Sequence, residues 1–143
     1  METMERDRDQ TALEEAVSRV GDRWTLLVID ALMGGPRRFG QLQDAVMGIA
    51  PNILSQRLKA LEQDGLVVGR PYSTRPPRVA YELSAAGRDL AGALRLLAHW
   101  GARGSAEAAL RHEACGTPLE ARWYCPTCAR TVDDRDDPEV RFV

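Results

Sequence analysis

All three cysteines and one of the chain's two histidines lie within residues 111–131, RHEACGTPLEARWYCPTCART. His112 and Cys115 are separated by two residues, and so are Cys125 and Cys128. An odd cysteine count in a chain of intracellular character argues against a disulfide framework and for metal or redox chemistry. Zn²⁺ takes four nitrogen or sulfur ligands in a tetrahedron, and a two-residue spacing lets each turn supply two of them. The intervening GTPLEARWY is long enough to fold back, with residues 122–124 as a short strand entering the second turn. The expectation is a structural Zn²⁺ held by His112, Cys115, Cys125 and Cys128. A full set of protein ligands leaves no open position for water and so no catalysis. Three unrelated cysteines are the plainer alternative, but two such pairs from so few Cys and His residues tell against it. Ala129 occupies a position after the second cysteine where glycine is frequent. A weaker version makes the site a sensor that responds to zinc loss or thiol chemistry. His99, beside Trp100, fits a packing role better than a ligand role.

A second constellation lies at APNILSQRLKALEQDGLV, residues 50–67. Leu54, Leu58 and Leu61 recur at helical spacing on one face, and Asn52, Gln56, Lys59 and Gln63 gather opposite. Such a polar strip is ordinarily only a solvated face. Asn and Gln, however, can pair bidentately with adenine in the major groove. Asn52, Ser55 and Gln56 occupy the first turns of the helix, the part that reaches base edges in helix-turn-helix proteins, and Lys59 is placed for phosphate. Arg57 flanks the apolar stripe, so packing or a salt bridge competes with DNA contact there. Arg70, Arg75 and Arg78 lie in GRPYSTRPPR, residues 69–78, a segment suited to backbone or minor-groove contact.

The elements that must position these residues follow from periodicity and punctuation. Residues 1–10 are polar, without periodicity, and expected to be disordered. Thr11 and Glu14 form a capping box ahead of an apolar stripe ending at Gly21. A second stripe runs from Trp24 to Leu32 and stops at Gly34-Gly35-Pro36. Phe39, Leu42 and Val46 mark a short third helix, and Pro51 suits the first turn of the fourth. From Leu66 the period becomes that of strands, with Leu66 and Val68, then Val79, Tyr81 and Leu83, alternating. The Pro- and Arg-rich segment 69–78 is expected to be a long cationic hairpin tip that continues neither strand. Ser84 begins a last long helix through Leu90, Leu94 and Leu97, ending near Trp100-Gly101 or fading toward Leu110. The order describes a mainly α protein with a small β-hairpin wing: a winged helix-turn-helix over residues 11–105. A zinc-knuckle extension over 106–132 and a loose acidic tail over 133–143 follow it.

The motifs RVGDRWTLLVIDAL, RRFGQLQDAV, LSQRLKALEQDGLV and RPPRVAYELSAAGRDL resemble the HxlR-type family of bacterial winged-helix transcription regulators. The likeness runs from about Leu13 to Trp100, with four motifs in register. It implies a homodimeric DNA-binding regulator related to the MarR-like fold, paired through its first and last helices. Two recognition helices would then enter successive major grooves of a pseudo-palindromic operator. By motif, Asn52, Ser55, Gln56 and Lys59 fall on the recognition helix, and Arg75 and Arg78 on the wing. MarR-like folds often hold a small-molecule effector between the last helix and the DNA-binding lobe. Many family members carry a cysteine just before the first helix motif, some using it as a redox or electrophile sensor. Residues 1–114 here contain none, so a sensor of that kind is not expected.

The net charge of −2 conceals a pattern that fits this account. Residues 1–36 carry 4 basic and 8 acidic side chains, residues 37–111 carry 11 and 6, and residues 112–143 carry 4 and 7. The basic middle segment is the part expected to face a polyanion. No run of eighteen apolar residues occurs and the charged start METMERDRDQ lacks a signal-peptide core, so a cytoplasmic protein is expected. No Ser-His-Asp set or phosphate loop marks an enzyme. A protein-interaction adaptor on the same fold, or a redox- or zinc-responsive regulator switching through the Cys3His residues, are the alternatives to a DNA-reading homodimer.

Overall fold

The computed structural model describes residues 11–103, 105, 110–132 and 140. The disorder expected for residues 1–10 falls outside them, as does the acidic tail apart from Val140. Two compact units divide between Leu94 and Arg95.

The first unit opens with α1 (Ala12–Val20), capped as expected: the Glu14 N–H donates to Thr11 Oγ1 and the Thr11 N–H to the Glu14 carboxylate. α2 (Arg23–Leu32) begins at Asp22, whose carboxylate accepts from the N–H groups of Trp24 and Thr25 and so satisfies two orphan donors. β1 (Arg37–Arg38) leads into α3 (Phe39–Ala45) and then α4 (Pro51–Gln63). Ala50 caps α4 without a side-chain bond, and Pro51 compensates by supplying a preset φ at the first helical position. The C-terminal end of α4 closes with Gly65 at φ 71°, while the Leu66 N–H reaches back to the Leu61 carbonyl at 2.9 Å.

The wing is built from β2 (Val67–Thr74) and β3 (Pro77–Leu83). With β1 they form an antiparallel sheet in the order β1-β3-β2. The long irregular tip expected over 69–78 is absent: only Arg75 and Pro76 lie between the strands. The prolines are tolerated because β2 is an edge strand, Pro77 opens β3, and a register shift between Pro71 and Ser73 absorbs the missing donor. β1, two residues with no readable alternation, is a strand that sequence patterning misses.

The expected single last helix is also corrected. It divides into α5 (Ala85–Arg88) and α6 (Ala91–Gly101), with the Leu90 N–H bonding three residues back to Gly87 rather than four. Gly87 packs so closely that a Cβ there would stand 2.2 Å from the Leu66 carbonyl oxygen. Close approach fixes this turn against the strand entry, and glycine also weakens the helix locally.

The core of the first unit joins α2, α3, α4 and the wing: Val28, Ile29, Leu42, Leu54, Leu61 and Leu83 are all at most 3% exposed. The second unit contains a small hairpin, β4 (Trp123–Cys125) with β5 (Arg130–Val132), and an isolated antiparallel bridge between Arg111 and Pro118.

Candidate nucleic-acid interface

α4 is held by its buried side and displays the other. Leu54, Leu58 and Leu61 are buried, whereas Asn52, Ser55, Gln56 and Lys59 are all exposed. The spacing that buries the leucines also determines which residues face outward. Arg57 sits between the two faces, and its Nε lies 3.1 Å from Asp22 Oδ1, as its flank position suggested. This pair ties α4 to the N-terminus of α2. Burial pushes the Asp22 pKa up, but bonds from the Thr25 hydroxyl and N–H, the Arg57 charge and the Trp24 N–H together hold it below the usual value.

The wing arginines separate into two kinds. Arg75 lies at the turn and Arg78 is the second residue of β3; both are exposed, and neither makes an ion pair among the described residues. Arg70 is not at the tip as expected. It is the fourth residue of β2, and its guanidinium pairs with Glu82. The shorter turn places it well down the strand.

Cross-strand register exposes a feature that sequence inspection missed. Arg38 and Arg70 both stand opposite Ala80, so the three side chains share one face of the sheet. Arg78 and Glu82, two residues to either side of Ala80 on β3, belong to the same face. Arg38 also stacks on Tyr72 at 4.5 Å from the ring centroid. The opposite face carries Val67, Tyr81 and Leu83 toward the core, where burial and the Glu62 charge raise the Tyr81 pKa. The wing therefore has one apolar face and one rich in arginine. The pairing Arg38–Ala80–Arg70 spans more than thirty residues of sequence, and no local pattern signals it.

A cleft of about 510 Å³ in the first unit is lined by α2, its exit and the exit of α3, including Arg23, Asp30, Arg37 and Met47. The Arg37 Nε already donates to the Ala31 carbonyl at 2.6 Å.

The expected metal ligands appear as two pairs in the second unit. His112 Nδ1 and Cys115 Sγ are 3.3 Å apart, and Cys115 Sγ is 3.2 Å from the Thr117 hydroxyl. Thr117, through its side chain and then its backbone, holds the Cys115 thiol below its ordinary pKa. Hydrogen bonds from Cys128, backbone then side chain, and from the Thr127 N–H do the same for Cys125. Among the described residues no three His, Cys, Asp or Glu side chains gather as a metal-binding cluster. His99 is exposed on α6.

An HxlR-like helix-turn-helix family model matches residues 19–108. The HTH-type transcriptional regulator Rv3095 of Mycobacterium tuberculosis is 39% identical over 126 residues, covering 85% of this chain and 79% of the relative. YodB of Bacillus subtilis, another HTH-type transcriptional regulator, is 34% identical over 88 residues, covering 62% and 79%. Among solved structures, the transcription factor PA1374 from Pseudomonas aeruginosa superposes with a TM-score of 0.63 at 33% identity, covering 82% of this chain and 83% of that one. The redox regulator HypR in its reduced form gives 0.62 at 27% identity, covering 68% and 99%. Among the described residues, no helix is long and apolar enough to cross a membrane.

Proposed function

The chain belongs to the HxlR-like helix-turn-helix family of transcriptional regulators, and on that premise we propose that it binds a pseudo-palindromic operator as a homodimer. Regulators of this family bind DNA and catalyse no reaction. In the proposed complex each α4 enters one of two successive major grooves. The observation that carries this is the exposed strip Asn52, Ser55, Gln56 and Lys59 on a helix whose other side is locked by Leu54, Leu58 and Leu61. Asn52, Ser55 and Gln56 read base edges, and Lys59 meets phosphate. Arg75 and Arg78, exposed and without ion pairs among the described residues, hold the backbone from the wing. Arg70 contributes less because Glu82 competes for it.

The second copy is supported by exposed apolar surface. α1 leaves Leu13 70% and Val17 55% exposed. α6 is rich in leucine and alanine yet buries none of its residues, and Trp100 is 63% exposed. Apolar helix faces of this kind are the usual material of an isologous dimer contact.

Gln56→Ala tests the reading face. A bidentate pair discriminates against the wrong base by about 1–3 kcal/mol, so operator preference should fall by roughly tenfold or more while non-specific binding persists. Competition between operator and scrambled duplex measures this, and an unchanged ratio would place base reading elsewhere. An adaptor that had abandoned DNA would show no preference before substitution either.

A further inference from the structure

The second unit poses a separate physical problem. Every residue from 110 to 132 is exposed except Cys125 and Val132, which are half-buried. Leu119, Trp123 and Tyr124 are 45–61% exposed. Twenty-three residues with no buried side chain have no core to hold them, and chains of this size ordinarily fold by means of a disulfide, a metal or a partner. We propose that His112, Cys115, Cys125 and Cys128 close on one Zn²⁺, which staples the two turns of the C-terminal unit together.

The two pairs are built alike. Each occupies a tight turn flanked by antiparallel pairing: Arg111 opposite Pro118 around the first, Cys125 opposite Arg130 around the second. In each, the residue directly after the second ligand adopts a left-handed conformation, Gly116 at φ 70° and Ala129 at φ 52°. A left-handed residue is ordinary for glycine but uncommon for alanine, so the second turn keeps the shape of the first against its own residue preference. The first turn is closed by the Gly116 N–H, which donates to the His112 carbonyl at 2.7 Å.

Within the first pair the donor spacing fits the ion, although the two pairs stand apart among the described residues. His112 Nδ1 and Cys115 Sγ lie 3.3 Å apart, against roughly 3.5 Å for the N···S edge of a tetrahedron with Zn–N near 2.05 Å and Zn–S near 2.3 Å. Three sulfurs and one imidazole are a set Zn²⁺ prefers over harder cations. Each pair supplies one half of the tetrahedron, and metal binding draws the two halves onto one centre. Every ligand position is then protein, so the site is structural.

Cobalt substitution of the purified full chain tests this without any variant. The expected result is one equivalent of Co²⁺ bound per chain, with intense tetrahedral d–d absorption and the charge-transfer band of three thiolates, displaced by one equivalent of Zn²⁺. Cys115→Ser and Cys128→Ser should each reduce the charge-transfer band by about a third, while the circular dichroism of the helical unit stays unchanged. Chelation of the wild-type chain should open residues 110–132 to protease and leave residues 11–94 protected. An octahedral Co²⁺ spectrum, binding that survives loss of either cysteine with no spectral change, or protease resistance indifferent to the metal would each overturn the proposal.

Discussion

Replacing Arg75 and Arg78 together with alanine separates the electrostatic part of DNA binding from base reading. Both side chains are exposed and make no ion pair among the described residues, which leaves them available to phosphate. In the proposed dimer the double substitution removes four phosphate contacts. Each contact releases condensed counterions, and the slope of log K against log salt should become shallower by about 3.6. Between roughly 50 and 150 mM salt, wild type should therefore lose about 50-fold more affinity than the variant does. Arg70→Ala is the internal control, because the Arg70 guanidinium is already engaged by Glu82 and its loss should alter the slope less than either tip arginine. Fluorescence anisotropy with a labelled duplex across that salt range reads the slopes directly. Parallel lines for wild type and the double variant would refute the wing assignment, since phosphate contacts cannot be removed without changing the slope.

Asp22→Ala should destabilise the first unit by about 1–2 kcal/mol through loss of the α2 cap. Its half-exposed pair with Arg57 adds no more than about 1 kcal/mol after solvent screening. Because the folded Asp22 pKa is depressed, its contribution is present above its unfolded pKa near 3.9 and fades as pH falls through the folded value. Urea melts should therefore show wild type and variant apart at pH 7 and converging as pH falls below the unfolded Asp range; a constant gap would contradict the cap's ionic character. Leu13→Glu with Val17→Glu should convert the proposed dimer to monomer in light scattering and weaken operator binding, and an unchanged mass would move the interface off α1.

Much of the DNA-binding unit was legible because burial follows periodicity. The stripe Leu54, Leu58, Leu61 defined α4, and defining its buried side defined its exposed side. The capping box at Thr11 and Glu14 and the stop at Gly21 are local chemistry written in nearby residues. What escaped depends on contacts distant in sequence. β1 is two residues long and exists through its pairing with β3. β2 extends through Pro71 because of its edge position, and Pro77 is tolerated as the first residue of β3; composition reveals neither. The break at Asp89-Leu90 accompanies the packing of Gly87 against Leu66, and the shared face of Arg38 and Arg70 arises from cross-strand register. The spacings of His112, Cys115, Cys125 and Cys128 were visible at once, but the left-handed residue that follows each pair became apparent only from the backbone.

The most direct test is selection of genomic DNA fragments by the purified full-length protein at near-physiological salt, read by sequencing. A single enriched motif with two related half-sites, centres about 10 base pairs apart, is the expected result for two recognition helices on successive major grooves. Enrichment of an isolated half-site, or no enrichment by folded protein, would contradict a sequence-reading homodimer.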